Sequence, residues 1–422
     1  MYALLDCNSF FCSVEKDFHP GFQGKPLCVL SNNDGCIVAL TPEAKALGLR
    51  RGDPIFKVQD IVQKHQVAVF SSNLQLYAAM SKRVFSIVRK MIPATEVYSI
   101  DECFCTLDGY GKFHDMERLM RSVVHRIQLY TDIPVSVGIA PTKTLAKVAS
   151  RFAKKYAGYQ GVCMIDNEEK RKKALQHTDL GDIWGIGRQT LGKLVSLQVC
   201  SPWDFSKKSA PWVRSHLYKP GIQTWMELNG KPSIETSIPA NRSLCTSKSF
   251  GTMVNDLPSL RAAVASFASS CANKLRAQHS VAGAVTVFLF TNRFRQDLQQ
   301  YFGSDMAVMS VLSSDTLEIT RTALRILDRI YRPGIWYKKA GVVLTDIHMG
   351  NVVQQNLFDT ITNRPSRGKL MQVIDDINHR YGIKTLRMSV EGTEKEQPWK
   401  SRSLYRSPNY LTDIHEILTV GS

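Results

Sequence analysis

Two adjacent acids, Asp101 and Glu102, interrupt an otherwise apolar segment running from Val97 to Leu107. That interruption constrains the fold more than any other feature of the chain. The segment predicts strand, acidic turn, strand. Neighbours on a regular strand point to opposite faces, so both acids serve one site only if the backbone bends between them, as at the end of a hairpin. The chain opens on YALLD (Tyr2 to Asp6), a short apolar run that ends on an acid and predicts a buried strand. With the hairpin beside that strand, Asp6, Asp101 and Glu102 converge at one sheet edge. Three carboxylates and a main-chain carbonyl are hard oxygen donors, suited to two magnesium ions about 4 Å apart. The competing reading is a set of solvated strand-end acids; the apolar setting of the pair weighs against it.

The remaining pattern predicts an α+β chain of several domains. After Asp6, Asn8-Ser9 offers an N-cap for a helix through about Lys16. Pro26 to Leu30 and Cys36 to Leu40 read as strands around the turn Ser31 to Gly35, and Pro42 to Leu47 as a short helix. Gln75 to Met91, Asp115 to Tyr130 and Thr142 to Lys154 carry helical patterning, with a strand from Val135 to Ile139. This order suggests a split βαβ sheet with an insertion. Glu168 to Lys173 reads as a charged linker, followed by Gly-punctuated helix to about Glu235. A second α+β unit follows, with strands Leu244 to Phe250, Ala284 to Thr291 and Ala340 to Ile347, and helices Leu257 to Gln278 and Thr316 to Tyr331. A polar tail begins near Met349 and holds one helix, Lys369 to Arg380.

Charge narrows the class of partner. The 422 residues hold 54 lysines and arginines against 37 acids, a net +17, which fits a polyanion such as nucleic acid. The N-terminus lacks the basic start of a signal peptide, and the longest apolar stretch, Ala282 to Phe290, is far short of a membrane span. Ten cysteines without a CxxC pair read as reduced thiols of a cytoplasmic protein, and Cys103 and Cys105 as packing residues. The histidines form no zinc-spaced cluster.

DCNSFFCSVE (Asp6 to Glu15), YSIDECF (Tyr98 to Phe104) and VGIAPTKTLAKVAS (Val137 to Ser150) resemble the three palm motifs of Y-family lesion-bypass DNA polymerases. LSNNDGCIVA (Leu30 to Ala39), EAKALG (Glu43 to Gly48) and the tail are most similar to the bacterial UmuC type, and the likeness runs over nearly the whole chain. The resemblance implies a right-hand polymerase: palm at 1–10 and 72–166, fingers at 11–71, a helical thumb at 167–235, an α+β little finger at 236–348 and a C-terminal tail at 349–422. It implies error-prone, template-directed addition of deoxynucleotides to a primer in the bacterial SOS response. Asp6, Asp101, Glu102 and the carbonyl of Cys7 match the ligands of two Mg²⁺ ions. Phe11 matches the steric gate, where many members carry Tyr; of Phe10 and Phe11 at the nucleotide, Phe10 is assigned to the core. Lys45 and Lys154 match phosphate-contacting cations, and Pro42 replaces a tyrosine contact.

LGDIWGIGRQTLGKL (Leu180 to Leu194) resembles a helix-hairpin-helix, with Gly185 and Gly187 admitting a DNA phosphate and Arg188 and Lys193 adding charge. Residues 236–348 hold 13 lysines and arginines against 7 acids, with Arg242, Lys248, Arg293 and Arg295 on or beside the strands, as expected of a DNA-binding sheet. QQNLF (Gln354 to Phe358) resembles a sliding-clamp peptide anchored by Gln354, Leu357 and Phe358. By the same resemblance the tail, with RSPNYLTDIHEIL (Arg406 to Leu418), contacts the processed UmuD homodimer and RecA. The alternatives are another palm-fold nucleotidyl transferase, such as a nucleotide cyclase, which needs neither hairpin motif nor clamp peptide, and a non-catalytic DNA-binding relative, which would have lost a carboxylate.

Overall fold

A computed structural model describes the chain except residues 111–114, 236–240, 351–353, 355, 358, 360, 362, 383, 393–396, 398 and 418–422. The chain divides into two units, Met1–Thr236 with Leu404–Ser422, and Ser237–Ser403. Residues 349–422, expected as one tail, therefore divide between them.

The first unit is built on a five-stranded sheet. Its strands are β1 (Tyr2–Cys7), β5 (Thr95–Val97), β6 (Glu102–Thr106), β7 (Val135–Ala140) and β8 (Val162–Met164), in the order β5-β6-β1-β7-β8. The insertion carries a smaller sheet, β3-β2-β4, from β2 (Leu27–Leu30), β3 (Ile37–Leu40) and β4 (Ala68–Ser71). Around these lie α1 (Phe10–Phe18), α2 (Pro42–Ala46), α3 (Gln59–Lys64), α4 (Leu74–Met91), α5 (Met116–Thr131) and α6 (Lys143–Lys155). Alternation along β1 sorts the layers. Ala3, Leu5 and Cys7 join the core made with α4 and α5, whereas Leu4 packs with Phe104 and with Leu145, Ala146 and Ala149 of α6. At Gly138, opposite Leu4 on β7, a Cβ would come within 2.7 Å of the Ala149 carbonyl carbon and closer still to two other α6 backbone atoms. Only glycine lets α6 lie this near the sheet.

Helices α7 (Glu168–Gln176), α8 (Arg188–Ser196), α9 (Pro202–Ser206) and α10 (Ala210–Leu228) complete the unit. The expected charged linker at Glu168 to Lys173 is in fact the start of α7. Asn167 caps it by accepting from the Lys170 amide, and Glu168 pairs with Arg171 one turn on.

The second unit is a sheet in the order β11-β10-β12-β9, from β9 (Leu244–Val254), β10 (Ser280–Thr291), β11 (Phe302–Ser313) and β12 (Tyr337–Met349), packed on α11 (Leu257–Ala277) and α12 (Thr316–Ile330). Sequence reading missed β11. Its outward positions hold Phe302, Met306 and Val308 among polar residues, which blurs the in-out alternation. Helix α13 (Arg364–Tyr381) extends the expected tail helix in both directions and is tied to α11 by the pair of Arg276 and Asp375. Trp399 is buried against Phe267 of α11.

Candidate active site

The register places Asp6 of β1 directly opposite Glu102 of β6, and the Cys7 amide donates to the Asp101 carbonyl at 2.9 Å. Tyr98 to Asp101 form the tight reversal between β5 and β6; the Ser99 hydroxyl accepts from the amides of Asp101 and Glu102 and donates to the Asp101 carboxylate. Asp6 and Glu102 share the α6 side of the sheet with Leu4 and Phe104. Two α6 lysines, seven residues apart and so on one helix face, meet them there. Lys154 Nζ donates to Asp6 at 2.7 Å, and Lys147 Nζ to both oxygens of Glu102 at 3.1 and 2.9 Å.

Each carboxylate is thus bonded to a partner of its own, and among the described residues no three His, Cys, Asp or Glu side chains gather as a metal-ligand cluster. The donor set nevertheless fits hard divalent ions: three carboxylates on neighbouring backbone positions, Asp6 and Glu102 each paired with one lysine and Asp101 with the Ser99 hydroxyl. The Cys7 thiol is buried, and burial first, then the charges of Asp6 and Asp101, push its pKa well up. It stays protonated, which leaves only the Cys7 carbonyl as a donor. Sequence reading missed Lys147. The available signal was its spacing: Lys147 stands four residues after the buried Lys143 and seven before Lys154.

The turn after β1 feeds α1. Its cap residue Ser9 is left-handed and makes no side-chain bond to the first helical amides. Phe10 is 3% exposed and belongs to the core, while Phe11 is half-buried with its ring stacked on Tyr77 of α4 at 4.5 Å. Lys45 is exposed on α2, beginning just after the Thr41 cap.

Comparison with known proteins decides the family. The model of the impB/mucB/samB family matches residues 5–151, its C-terminal domain matches 241–357, and a domain of unknown function, DUF4113, matches 368–420. UmuC of Salmonella typhimurium is 38% identical over 100% of both chains. The chain belongs to the impB/mucB/samB family. It is of the UmuC type, with the fold of Y-family DNA polymerases. Among solved structures, a Y-family DNA polymerase chimera of Dbh and Dpo4 aligns with a TM-score of 0.65 at 21% identity, over 82% of this chain and 99% of that one. An insertion ternary complex of Dbh DNA polymerase aligns at 0.56 and 21% identity, with the same coverage. These two likenesses give the fold.

Elsewhere in this family member the expected contacts fare unevenly. Gly185 has φ +95° and packs so closely on Thr224 of α10 that no Cβ fits, and Gly187 caps α8, whose first residue is the exposed Arg188. Before this turn stands only a single 3-10 turn, Leu180–Asp182, where a full helix was expected. Lys193 donates to the His216 carbonyl. Trp184 of the same loop stacks on Phe104 and lies 5.2 Å from Lys147 Nζ, so this loop touches the acidic site through its lysine.

On the sheet of the second unit, Lys248 corrects the sequence reading. It alternates in phase with the core residues Leu244 and Phe250, opposite buried Ala340, and therefore points to the helix side of the edge strand. Its ammonium lies over Trp399, and burial, then Lys384 and Lys400, lower its pKa. The other face carries Phe288 stacked on Phe290, with Lys339 over the latter. Arg242 precedes β9, and Arg293 and Arg295 lie in the loop after β10, Arg295 paired with Asp297. Gln354 is exposed and Leu357 is 94% exposed; Phe358 lies outside the described residues. Among the described residues no helix is long and apolar enough to cross a membrane.

Proposed function

We propose that Asp6, Asp101, Glu102 and the Cys7 carbonyl hold two Mg²⁺ ions, and that the chain uses them to extend a primer 3′-hydroxyl with deoxynucleotides opposite damaged template. The observation that carries this reading is the pairing of Asp6 with Glu102 on one side of the sheet, with Lys147 and Lys154 reaching both from α6. When bound, such ions favour the 3′-alkoxide nucleophile and offset charge on the leaving pyrophosphate. The protein's own residues do the rest. Lys154, released from Asp6, and Lys45 neutralise triphosphate oxygens, assisted by the open amides at the start of α1. Phe11 lies under the sugar and excludes a 2′-hydroxyl.

In this reading residues 1–10 and 72–166 are palm, 11–71 fingers, 167–235 thumb and 236–348 little finger. The turn at Gly185 and Gly187 with Arg188, and Arg242, Arg293 and Arg295, grip phosphates of the primer-template duplex without reading sequence. Exposed Leu357 with Gln354 and Phe358 docks on a sliding clamp, and processed UmuD and RecA are further partners in the bacterial cytoplasm; the likeness to UmuC supports the UmuD partnership. The test is primer extension across a lesion by the purified chain, with and without clamp, RecA and processed UmuD. No incorporation under any of these conditions would refute the reading.

A further inference from the structure

The residues behind Phe11 form a chain of contacts that ends far away in sequence. Phe11 and Glu15 stand one turn apart on one face of α1. Tyr77 spans both: its ring backs Phe11 at 4.5 Å and 19°, and its hydroxyl donates to Glu15 Oε1 at 2.6 Å. Tyr77 and Glu15 are each 0% exposed. The same Oε1 accepts a second bond, at 3.0 Å, from the hydroxyl of Ser407, a residue 392 positions on and 5% exposed.

Ser407 is held in turn. Asn73, the cap residue of α4, accepts from the Leu76 amide with its side-chain oxygen and donates to the Ser407 carbonyl at 2.8 Å. The same α4 carries Tyr77, so Ser407 touches both the start of that helix and the partner of its tyrosine. The flanking chain is fixed as well. Tyr405 and Ser71 at the end of β4 exchange bonds at 2.9 Å, Leu404 donates to Asp34, and Tyr410 stacks on Phe18 at 4.8 Å. A segment within the domain of unknown function is thereby built into the unit that holds the acids.

We propose that this segment positions the sugar gate: Ser407 orients Glu15, Glu15 fixes Tyr77, and Tyr77 holds the Phe11 ring at the angle that excludes a 2′-hydroxyl. Tyr77, Glu15 and Ser407 are positioning residues; Phe11 alone touches the sugar. A buried carboxylate with both bonds on one oxygen has one defined orientation. Loss of either donor frees the carboxylate to turn and the tyrosine ring to slide. The gate then gives way by a few tenths of an ångström, enough to admit one oxygen more often. This deepens the proposed function and rests on its reading of Phe11.

The experiment measures the ratio of ribo- to deoxynucleotide incorporation efficiency with the full chain, under conditions that support its deoxynucleotide incorporation. Phe11→Ala reports on the gate itself. Ser407→Ala and Tyr77→Phe, which keeps the ring, report on the support. Each should raise the ratio about 3- to 10-fold, the factor that one hydrogen bond of ordinary net strength corresponds to. The double variant should rise no further than the larger single one, because both cut one path. Glu15→Gln keeps an acceptor oxygen and should leave the ratio near that of the parent. A raised ratio in Phe11→Ala with no change in Ser407→Ala or Tyr77→Phe overturns the positioning role and spares the gate. An unchanged ratio in Phe11→Ala overturns the gate reading itself. Equal loss of ribo- and deoxynucleotide incorporation in Ser407→Ala, with a lowered Tm, makes the segment merely structural and also overturns the proposal.

Discussion

Gly138→Ala should damage catalysis without touching a charged residue. The added Cβ would sit 2.7 Å from the Ala149 carbonyl carbon, whereas ordinary contact begins at 3.4 Å. The obstacles are α6 backbone atoms, so no side chain can rotate away; this contact alone requires α6 to retreat from β7 by about 0.7 Å, and the two nearer backbone atoms require more. Overpacking of this kind destabilises by about 1–3 kcal/mol. In Tm that is about 2–4 °C per kcal/mol for a domain of 150–250 residues. The catalytic effect should be larger. Lys147 and Lys154 ride on α6 over Glu102 and Asp6, and a displacement near 1 Å at a catalytic geometry costs about 10²-fold in rate. Thermal unfolding and single-nucleotide incorporation on an undamaged primer-template measure the two effects separately. A variant with parental Tm and parental kcat/KM would refute the claim that close approach of α6 sets the site.

Asp101→Asn should abolish incorporation while leaving primer-template affinity within about twofold, read by extension and by fluorescence anisotropy, because in the proposed reading it removes an ion ligand and no DNA contact. Glu15 titrates above the ordinary carboxylate range because burial outweighs its bonds to Tyr77 and Ser407. Its contribution to stability is therefore fullest below the unfolded pKa and is lost as pH rises through the raised folded value. Glu15→Gln should accordingly raise Tm at pH 7.5, with the gain shrinking toward pH 4.5; a gain that grows in acid would contradict this. Affinity for duplex should fall steeply with salt, each neutralised phosphate adding about 0.9 to the log–log slope, and vary little with sequence. Replacing Leu357 and Phe358 together by Ala should remove clamp-dependent synthesis at unchanged Tm, since Leu357 is almost fully exposed; a lowered Tm with loss of basal activity would make the peptide structural.

Local patterning made much of this site legible. An apolar run ending on Asp6, an apolar hairpin broken by Asp101 and Glu102, and two adjacent phenylalanines on a short helix each carry their meaning within a few residues. The assignment of Phe10 to the core agrees with its burial. What stayed hidden depends on distant partners. Lys147 looks like any solvated helix lysine until the β1–β6 register puts Glu102 across from it. Lys248 looked like a sheet-face cation because strand phase was not weighed against its core neighbours. Ser407 sits in a polar stretch, and its tie to Glu15 spans 392 positions, beyond any periodicity.

In the proposed reading the two tasks of the site are served from opposite layers. Asp6, alternating with Leu4, faces α6, so the proposed ion binding and the lysines that would compete with it belong to that side. Cys7 and Phe10 join the core on the α4 side, and Phe11 leans on Tyr77 of α4. The six residues from Asp6 to Phe11 run from one layer to the other. A change in α6, such as Gly138→Ala, should slow deoxy- and ribonucleotide addition alike, because it moves the cations that balance charge for either. A change behind α4, such as Tyr77→Phe, should alter the choice between the two sugars with less effect on the rate of the preferred one. If instead both changes shifted the sugar ratio, the β1–α1 turn would be transmitting strain between the layers, and ion binding and sugar choice would not be separable functions of this fold.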